Sequence, residues 1–322
     1  AIRLSPQAGK SLVISRLRER DFGAQRGVAL VMVLLIVAMA TTIAAFMAQQ
    51  QGFWQREMEN GRDRAQARRI AEAGIDWARA VLADDALVSP GVDNAKEMWA
   101  MKLPAIPVEG GEVQGTIVDQ QGLFNLNNLV RNGVVSTADL ARFQRLLTTL
   151  GLPQELGGAL VDWLDSNSEA VENGAEDEYY MNLPKPYRCA NRQLSDIGEL
   201  AWVKGFDAGI IKRLQPFVSA LPESGTAVNV NFAPPEVLVA MVPKLTLQEA
   251  RQMVTQIKSS PYKTTAELPK SVSEEDRKNL SVNSEYFMVA GYATQGDGAS
   301  SVHALLLRRD GFWATQKRKS LQ

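Results

Sequence analysis

The stretch from Val28 to Met47, VALVMVLLIVAMATTIAAFM, constrains this chain more than any other, because it runs for twenty residues without a charge. At 1.5 Å rise per residue, a helix of that length spans roughly 30 Å, the thickness of a bilayer's hydrocarbon core. Arg3, Lys10, Arg16, Arg18, Arg20 and Arg26 precede it against Glu19 and Asp21 alone. This excess of positive charge orients the N-terminal side to the cytoplasm and the rest outward. A secretory signal peptide would place a small-residue cleavage site after the apolar run, whereas here the run continues into polar helix. Proline is absent between Pro6 and Pro90, and Ile70, Gly74, Trp77, Ala78 and Val81 recur at helical spacing. The pattern predicts one helix over residues 28–84, roughly 80 Å long, with residues 28–47 in the membrane and a small or apolar stripe beyond. A membrane helix that continues as a stripe packed on a folded head and a simple anchor on a globular domain both satisfy it.

At 322 residues the chain exceeds what one core usually holds, so two or three structural units are expected. A net charge of -1 gives no general attraction to nucleic acid. Cys189 is the sole cysteine and excludes an intrachain disulfide. The sole histidine, His303, excludes His-rich metal sites and leaves few routes to His-dependent catalysis.

Past the loop at Ser89-Pro90-Gly91, GGEVQGTIVDQQG (Gly110 to Gly122) alternates as a strand does. EYFMVAGYATQ from Glu285 and SSVHALLLRRD from Ser300 read as two more strands around a turn at Gly296 to Gly298. Between them, Val134 to Val218 is dominated by helical patterns. The expected fold class is therefore α+β, a long N-terminal helix packed on a small antiparallel sheet. Residues 85–122 and 223–322 form the α/β head, and residues 123–222 an inserted helical domain. A weak internal repeat runs through these parts. Asn125-Leu126-Asn127 with its following helix, closed by Leu194 to Phe206, parallels Asn229-Val230-Asn231, closed by Tyr262 to Leu268. Both pieces are similar to helix-hairpin-helix or SAM-like units. Neither has the Gly-x-Gly hairpin that grips DNA phosphates, so both read as packing modules.

One segment carries site chemistry. Asp162, Asp165, Glu169, Glu172, Glu176, Asp177 and Glu178 follow one another with no intervening lysine or arginine. So many acids repel one another unless a cation sits among them. Asp165, Asn167, Glu169 and Glu176 take the first, third, fifth and twelfth places of an EF-hand-like loop, but Ala170 stands where that loop needs glycine. Two readings stand: a solvated acidic loop, or a Ca²⁺ site of non-EF-hand geometry for one or two ions, using Asp165, Asn167, Glu169, Glu176, Asp177 and Glu178.

The N-terminus carries a family resemblance. Arg26-Gly27 followed by Val28, Ala29 and Leu30 resembles a type IV prepilin cleavage site, which makes residues 1–27 a leader peptide. The fifth mature residue is Met32, where most of that superfamily carries glutamate. This departure, with DQQGLFNLNNLV from Asp119, GAEDEYY from Gly174, FVSALPE from Phe217 and NVNFAPPEVLVAM from Asn229, resembles the K-type minor pseudopilin of the type II secretion system. A buried glutamate at that depth makes sense only opposite a cation, such as the N-terminal amine of the subunit above, and Met32 cannot make that pair.

The resemblance implies cleavage between Gly27 and Val28 by a prepilin peptidase, N-methylation of Val28, and a single-pass inner-membrane protein with a periplasmic head. It implies no enzyme. It implies a place at the pseudopilus tip with I-type and J-type minor pseudopilins, contact with other pseudopilins and inner-membrane secretion components, and a role in starting assembly and exporting folded proteins. It also shifts the acidic segment toward calcium binding. The rivals are a membrane-anchored DNA-uptake receptor and a membrane-tethered hydrolase.

The remaining features read structurally. His303 is expected on a strand, Cys189 as a buried small residue, Glu274-Glu275-Asp276 as a solvated helix start and Lys317-Arg318-Lys319 as a disordered basic tail.

Overall fold

A computed structural model describes residues 22–102, 104–309 and 312–321; most of the expected leader, residues 1–21, lies outside them. The chain divides into two compact units between Glu59 and Asn60. Helix α1 (Phe22–Val88) begins in the first unit and ends in the second. In the first unit it leaves the apolar side chains of Val28 to Met47 bare, from 52% exposed at Val37 to 64% at Ile36. By length and composition it suffices to cross a membrane.

In the second unit α1 ends at Ser89-Pro90-Gly91, where Gly91 takes a positive φ of 81°. The chain then forms β1 (Ile106–Val108), β2 (Gly111–Asp119), β3 (Phe124–Asn125), β4 (Val130–Arg131) and β5 (Val134–Val135). Helices α2 (Thr137–Thr149), α3 (Leu156–Leu164), α4 (Asp177–Met181) and α5 (Ala208–Leu214) follow, then β6 (Val218–Ser219) and β7 (Val228–Asn229). Next come α6 (Pro235–Met241), α7 (Leu247–Ser259), α8 (Glu274–Arg277) and β8 (Leu280–Ser281). The last strands are β9 (Tyr286–Gln295), β10 (Gly298–Arg309) and β11 (Phe312–Leu321).

Strands β1, β2, β9, β10 and β11 form one antiparallel sheet in that order. One face of it receives α1. Ala67, Ala71, Ile75, Ala78 and Leu82 recur every three or four residues, so they share one side of the helix, and all are buried. Ile117, Phe287, Val289, Ala293, Val302, Ala304 and Leu306 meet that stripe from the sheet. The stripe read from the sequence is thus turned by about one residue: Ile70 and Val81 are only partly buried and Trp77 is 49% exposed. Ile75 and Leu82 fit the seam as well as the alanines, but at Ala71 the sheet comes close enough that a Cβ on Gly291 would lie 2.7 Å from the helix backbone.

Lys317, Arg318 and Lys319, read from the sequence as a disordered tail, lie instead in β11, opposite Leu305, Ala304 and His303. The unpaired backbone groups along β10 take up this strand, and a sheet edge is where lysines are tolerated.

The internal repeat is a pair of modules with matching hydrogen bonds. In the first, β3 pairs in parallel with β6; in the second, β7 pairs in parallel with β8. Asn127 Oδ1 accepts from Leu194 N at 2.8 Å and its Nδ2 donates back to Leu194 O at 2.9 Å. Asn231 does the same with Tyr262, at 2.9 Å in both directions. Each amide therefore closes its module by imitating a strand pair. One hydrophobic cluster, from Phe124 to Val282, serves both modules. The first module differs by its long excursion: residues 165–193 lead from α3 to Leu194, where residues 260–261 suffice to lead from α7 to Tyr262.

Candidate cation-binding loop

That excursion is the acidic segment. Helix α3 is buried at every position and delivers Asp162 and, at its C-cap, Asp165 into the interior, 0% and 1% exposed. Asn173 takes a left-handed φ of 63°, and Gly174 donates its N–H to Val171 O at 2.9 Å. Asn173-Gly174 thus makes a tight bend. A Cβ at Gly174 would collide with Asp162 Oδ2, so only glycine lets the turn lie over that carboxylate. The chain then returns Glu176, 7% exposed, to the same interior.

Buried oxygens without donors collect here: Asp162 Oδ2, Asp165 Oδ2 and both carboxylate oxygens of Glu176. Asn191 Oδ1, on the segment leading back to Leu194, is likewise buried without a donor, while its Nδ2 donates to Asn167 O at 3.2 Å. Burial, together with the charges of Asp162, Asp165 and Asp177, pushes the Glu176 carboxyl up to about 7. Burial also raises Asp162 and Asp165. Lys204 relieves part of this charge, donating to Gly174 O at 2.9 Å and lying 5.0 Å from the Tyr179 ring centre.

The other expected ligands lie around this core. Asn167 Oδ1 accepts from Glu169 N at 2.7 Å and Asp165 Oδ1 from Asn167 N at 3.2 Å. Asn167, Glu169 and Glu178 are exposed, and half-buried Asp177 accepts from Cys189 N at 2.8 Å through Oδ1. The donor set is thus carboxylate and amide oxygen, which suits a hard divalent cation. Asp162 and Asn191 add oxygens to this group beyond the six residues read from the sequence. Asp162 was visible as an acid one helical turn before Asp165, but Asn191 carried no signal, since only the fold returns it to the loop.

Cys189 is buried, its Sγ 3.4 Å from Asp162 O, and burial pushes its thiol up to about 12. It is a packing residue and not a nucleophile. His303 sits half-buried in β10 opposite Ala290, and Glu274-Glu275-Asp276 opens α8 behind the Ser273 cap.

Among the described residues, a different trio has its ligand atoms within 4.8 Å of one another: Asp85, Asp93 and Glu97. Arg308 bonds both aspartates, so a guanidinium fills the place a metal would take.

Comparison with known proteins agrees with the architecture. Two family models described as type II secretion system protein K match residues 122–223 and 228–289, one on each module. Type II secretion system protein K of Klebsiella pneumoniae is 33% identical over 92% of this chain and 96% of its own length. The Pseudomonas aeruginosa protein of the same name is 35% identical over 89% and 90%. In the crystal structure of the GspK-GspI-GspJ complex from enterotoxigenic Escherichia coli, a chain matches with a TM-score of 0.68 and 23% identity. The match covers 84% of this chain and 99% of that one, and shows the fold. With its two modules, its helix and sheet and its full-length relatives in agreement, the chain belongs to the type II secretion system protein K family.

Proposed function

We propose that this protein is a minor pseudopilin of the type II secretion pseudopilus, working as a structural subunit at its tip. The family is a structural component of the secretion system and not an enzyme. The observation that carries the reading is the pairing of this family membership with an apolar segment left bare in the first unit, ready for lipid or for neighbouring stalks. Cleavage between Gly27 and Val28 by the prepilin peptidase, and methylation of Val28 by the same enzyme, would release a chain starting at the apolar run. Residues 28–47 then hold it in the inner membrane with the head in the periplasm. Met32 offers no charge to a subunit above it, which suits an uppermost position in contact with I-type and J-type partners. From there the subunit would help start pseudopilus assembly and the export of folded proteins.

In the same reading the acidic loop holds structural Ca²⁺. Asp162, Asp165, Glu176 and Asn191 supply the buried oxygens, and Asn167, Glu169, Asp177 and Glu178 are the remaining candidate ligands. The ion neutralises the charge and pins the long excursion; no nucleophile or general base stands beside it.

The test is purification from the native membrane, with N-terminal mass determination and capture of partners. A chain beginning at methylated Val28 that brings down I-type and J-type pseudopilins is expected. A chain still beginning upstream, or one captured without either partner, overturns the proposal.

A further inference from the structure

Three carboxylates, Asp85, Asp93 and Glu97, lie within 4.8 Å of one another where α1 ends, and one guanidinium bonds two of them. Asp85 on α1 accepts from Arg308 Nη1 at 3.1 Å, and Asp93 accepts from Arg308 Nη2. Arg308, on β10, also donates to Ser284 O at 3.0 Å and lies 4.7 Å from the Phe287 ring centre. Asp93 receives Ser284 N at 2.6 Å, and its own backbone carbonyl accepts from Asn231 Nδ2 at 3.2 Å, inside the second module. Glu97 accepts from Trp99 Nε1 at 2.8 Å, and from Asn94 N at 3.2 Å and Nδ2 at 2.9 Å. Asp119, buried at the end of β2, accepts from Gly122 N through Oδ1 and has no donor at Oδ2.

The charges do not balance. Among the described residues, Arg308 pairs with Asp85 and Asp93, while Glu97 lies beside both aspartates and Asp119 beside Asp93, neither with a cation of its own in an ion pair. Lys96 and Lys263 border the cleft outside Glu97, and Lys96 is already committed to Ser259 O at 2.6 Å. Every oxygen of Asp93 and Glu97 already accepts an N–H, which leaves none free for a metal ion, and Asp119 Oδ2 is buried with neither donor nor cation.

We propose that this cluster is a proton-operated clasp, in which protonation of Glu97 and Asp119 tightens the joint between the end of α1, the sheet and the second module. Burial pushes both carboxyls up to about 7, with Asp85 and Asp93 adding to it at Glu97 and Asp93 at Asp119. Both are raised above their unfolded values, near 4. The folded state therefore binds these protons more tightly than the unfolded state does. Their penalty is full above about pH 7 and is lost as pH falls toward about 4, so the joint firms on acidification. That is opposite in sign to the usual loss of carboxylate ion pairs in acid.

The test uses the full chain in detergent micelles, in saturating calcium and again in EGTA, from about pH 8 to about pH 5.5. Thermal midpoints are measured for the wild type, Glu97→Gln and Asp119→Asn. The acidic loop contributes equally to all three, so differences between them isolate the clasp. Each variant is expected to gain several degrees over the wild type near pH 8 and to keep only about half of that advantage near pH 5.5. Tryptophan fluorescence should titrate with a midpoint near 7 in the wild type, reporting Trp99 beside Glu97, and Glu97→Gln should remove that transition. A difference from the wild type that stays constant with pH, in whichever variant folds, overturns the clasp, as does a wild-type fluorescence signal flat through pH 7.

Discussion

The backbone oxygen of Ala71 lies so close to Gly291 that a Cβ on that glycine would stand 2.7 Å from it. Gly291 faces Gly115 on β2 and Val302 on β10, so α1 meets the sheet where the central strand has no side chain. Gly291→Ala is expected to push helix and sheet apart and destabilise the head by about 1–3 kcal/mol. Chemical denaturation compared with Gly74→Ala, which meets nothing within 4 Å, would measure it.

The two asparagine anchors should matter alike. Asn127→Ala strands Leu194 N and O and also Leu221 O, to which its amide donates at 2.7 Å. Asn231→Ala strands the matching groups of Tyr262 and removes a donor from Asp93 O. A loss of about 2–4 kcal/mol is expected for each, since buried backbone groups are left without partners. Because one cluster serves both modules, unfolding should remain a single transition in either variant.

Calcium should raise the thermal midpoint. At about a hundred times the Kd the gain is about 2.7 kcal/mol, or about 5–10 °C for a head of this size. Glu176→Gln should remove most of that shift. In EGTA at neutral pH the same variant should be no less stable than the wild type, because burial and neighbouring acids already disfavour the Glu176 carboxylate. Differential scanning calorimetry with and without EGTA distinguishes the two effects.

Arg308→Ala leaves Asp93, 1% exposed at its side chain, and Asp85 facing each other without a cation. A loss of about 3–5 kcal/mol is expected at neutral pH, as for other broken buried pairs. Acidification should restore part of it, which a pH series of denaturant midpoints would read.

Much of this architecture was legible because it rests on local pattern. The uncharged run from Val28, the alternation of Gly111 to Asp119 and the turn before Gly298 each announce their element within a few residues. The stripe on α1 was misplaced because helical periodicity names a face only to within about one residue. Ile70 and Trp77 look more like core than Ala67 and Ala71 until the bare Gly291 is known to lie opposite. Strand β11 does not follow from the sequence pattern because three consecutive basic residues read as solvated tail, although the strand folds back on β10, which directly precedes it. The acids of the candidate site were visible as a run. Asn191 and the Arg308 cluster were not, because they are assembled from residues separated by whole modules and no spacing rule links them.

The position of residues 165–193 has a wider consequence. Since the sister module closes with only residues 260–261 at the corresponding place, the ring is sealed by Asn127 and Leu194 whatever the length of the acid-rich excursion that leads to them. The excursion's exposed stretch, residues 166–173, can change length or chemistry while Ala175, Tyr180 and Cys189, buried in the shared core, keep the rest of it seated.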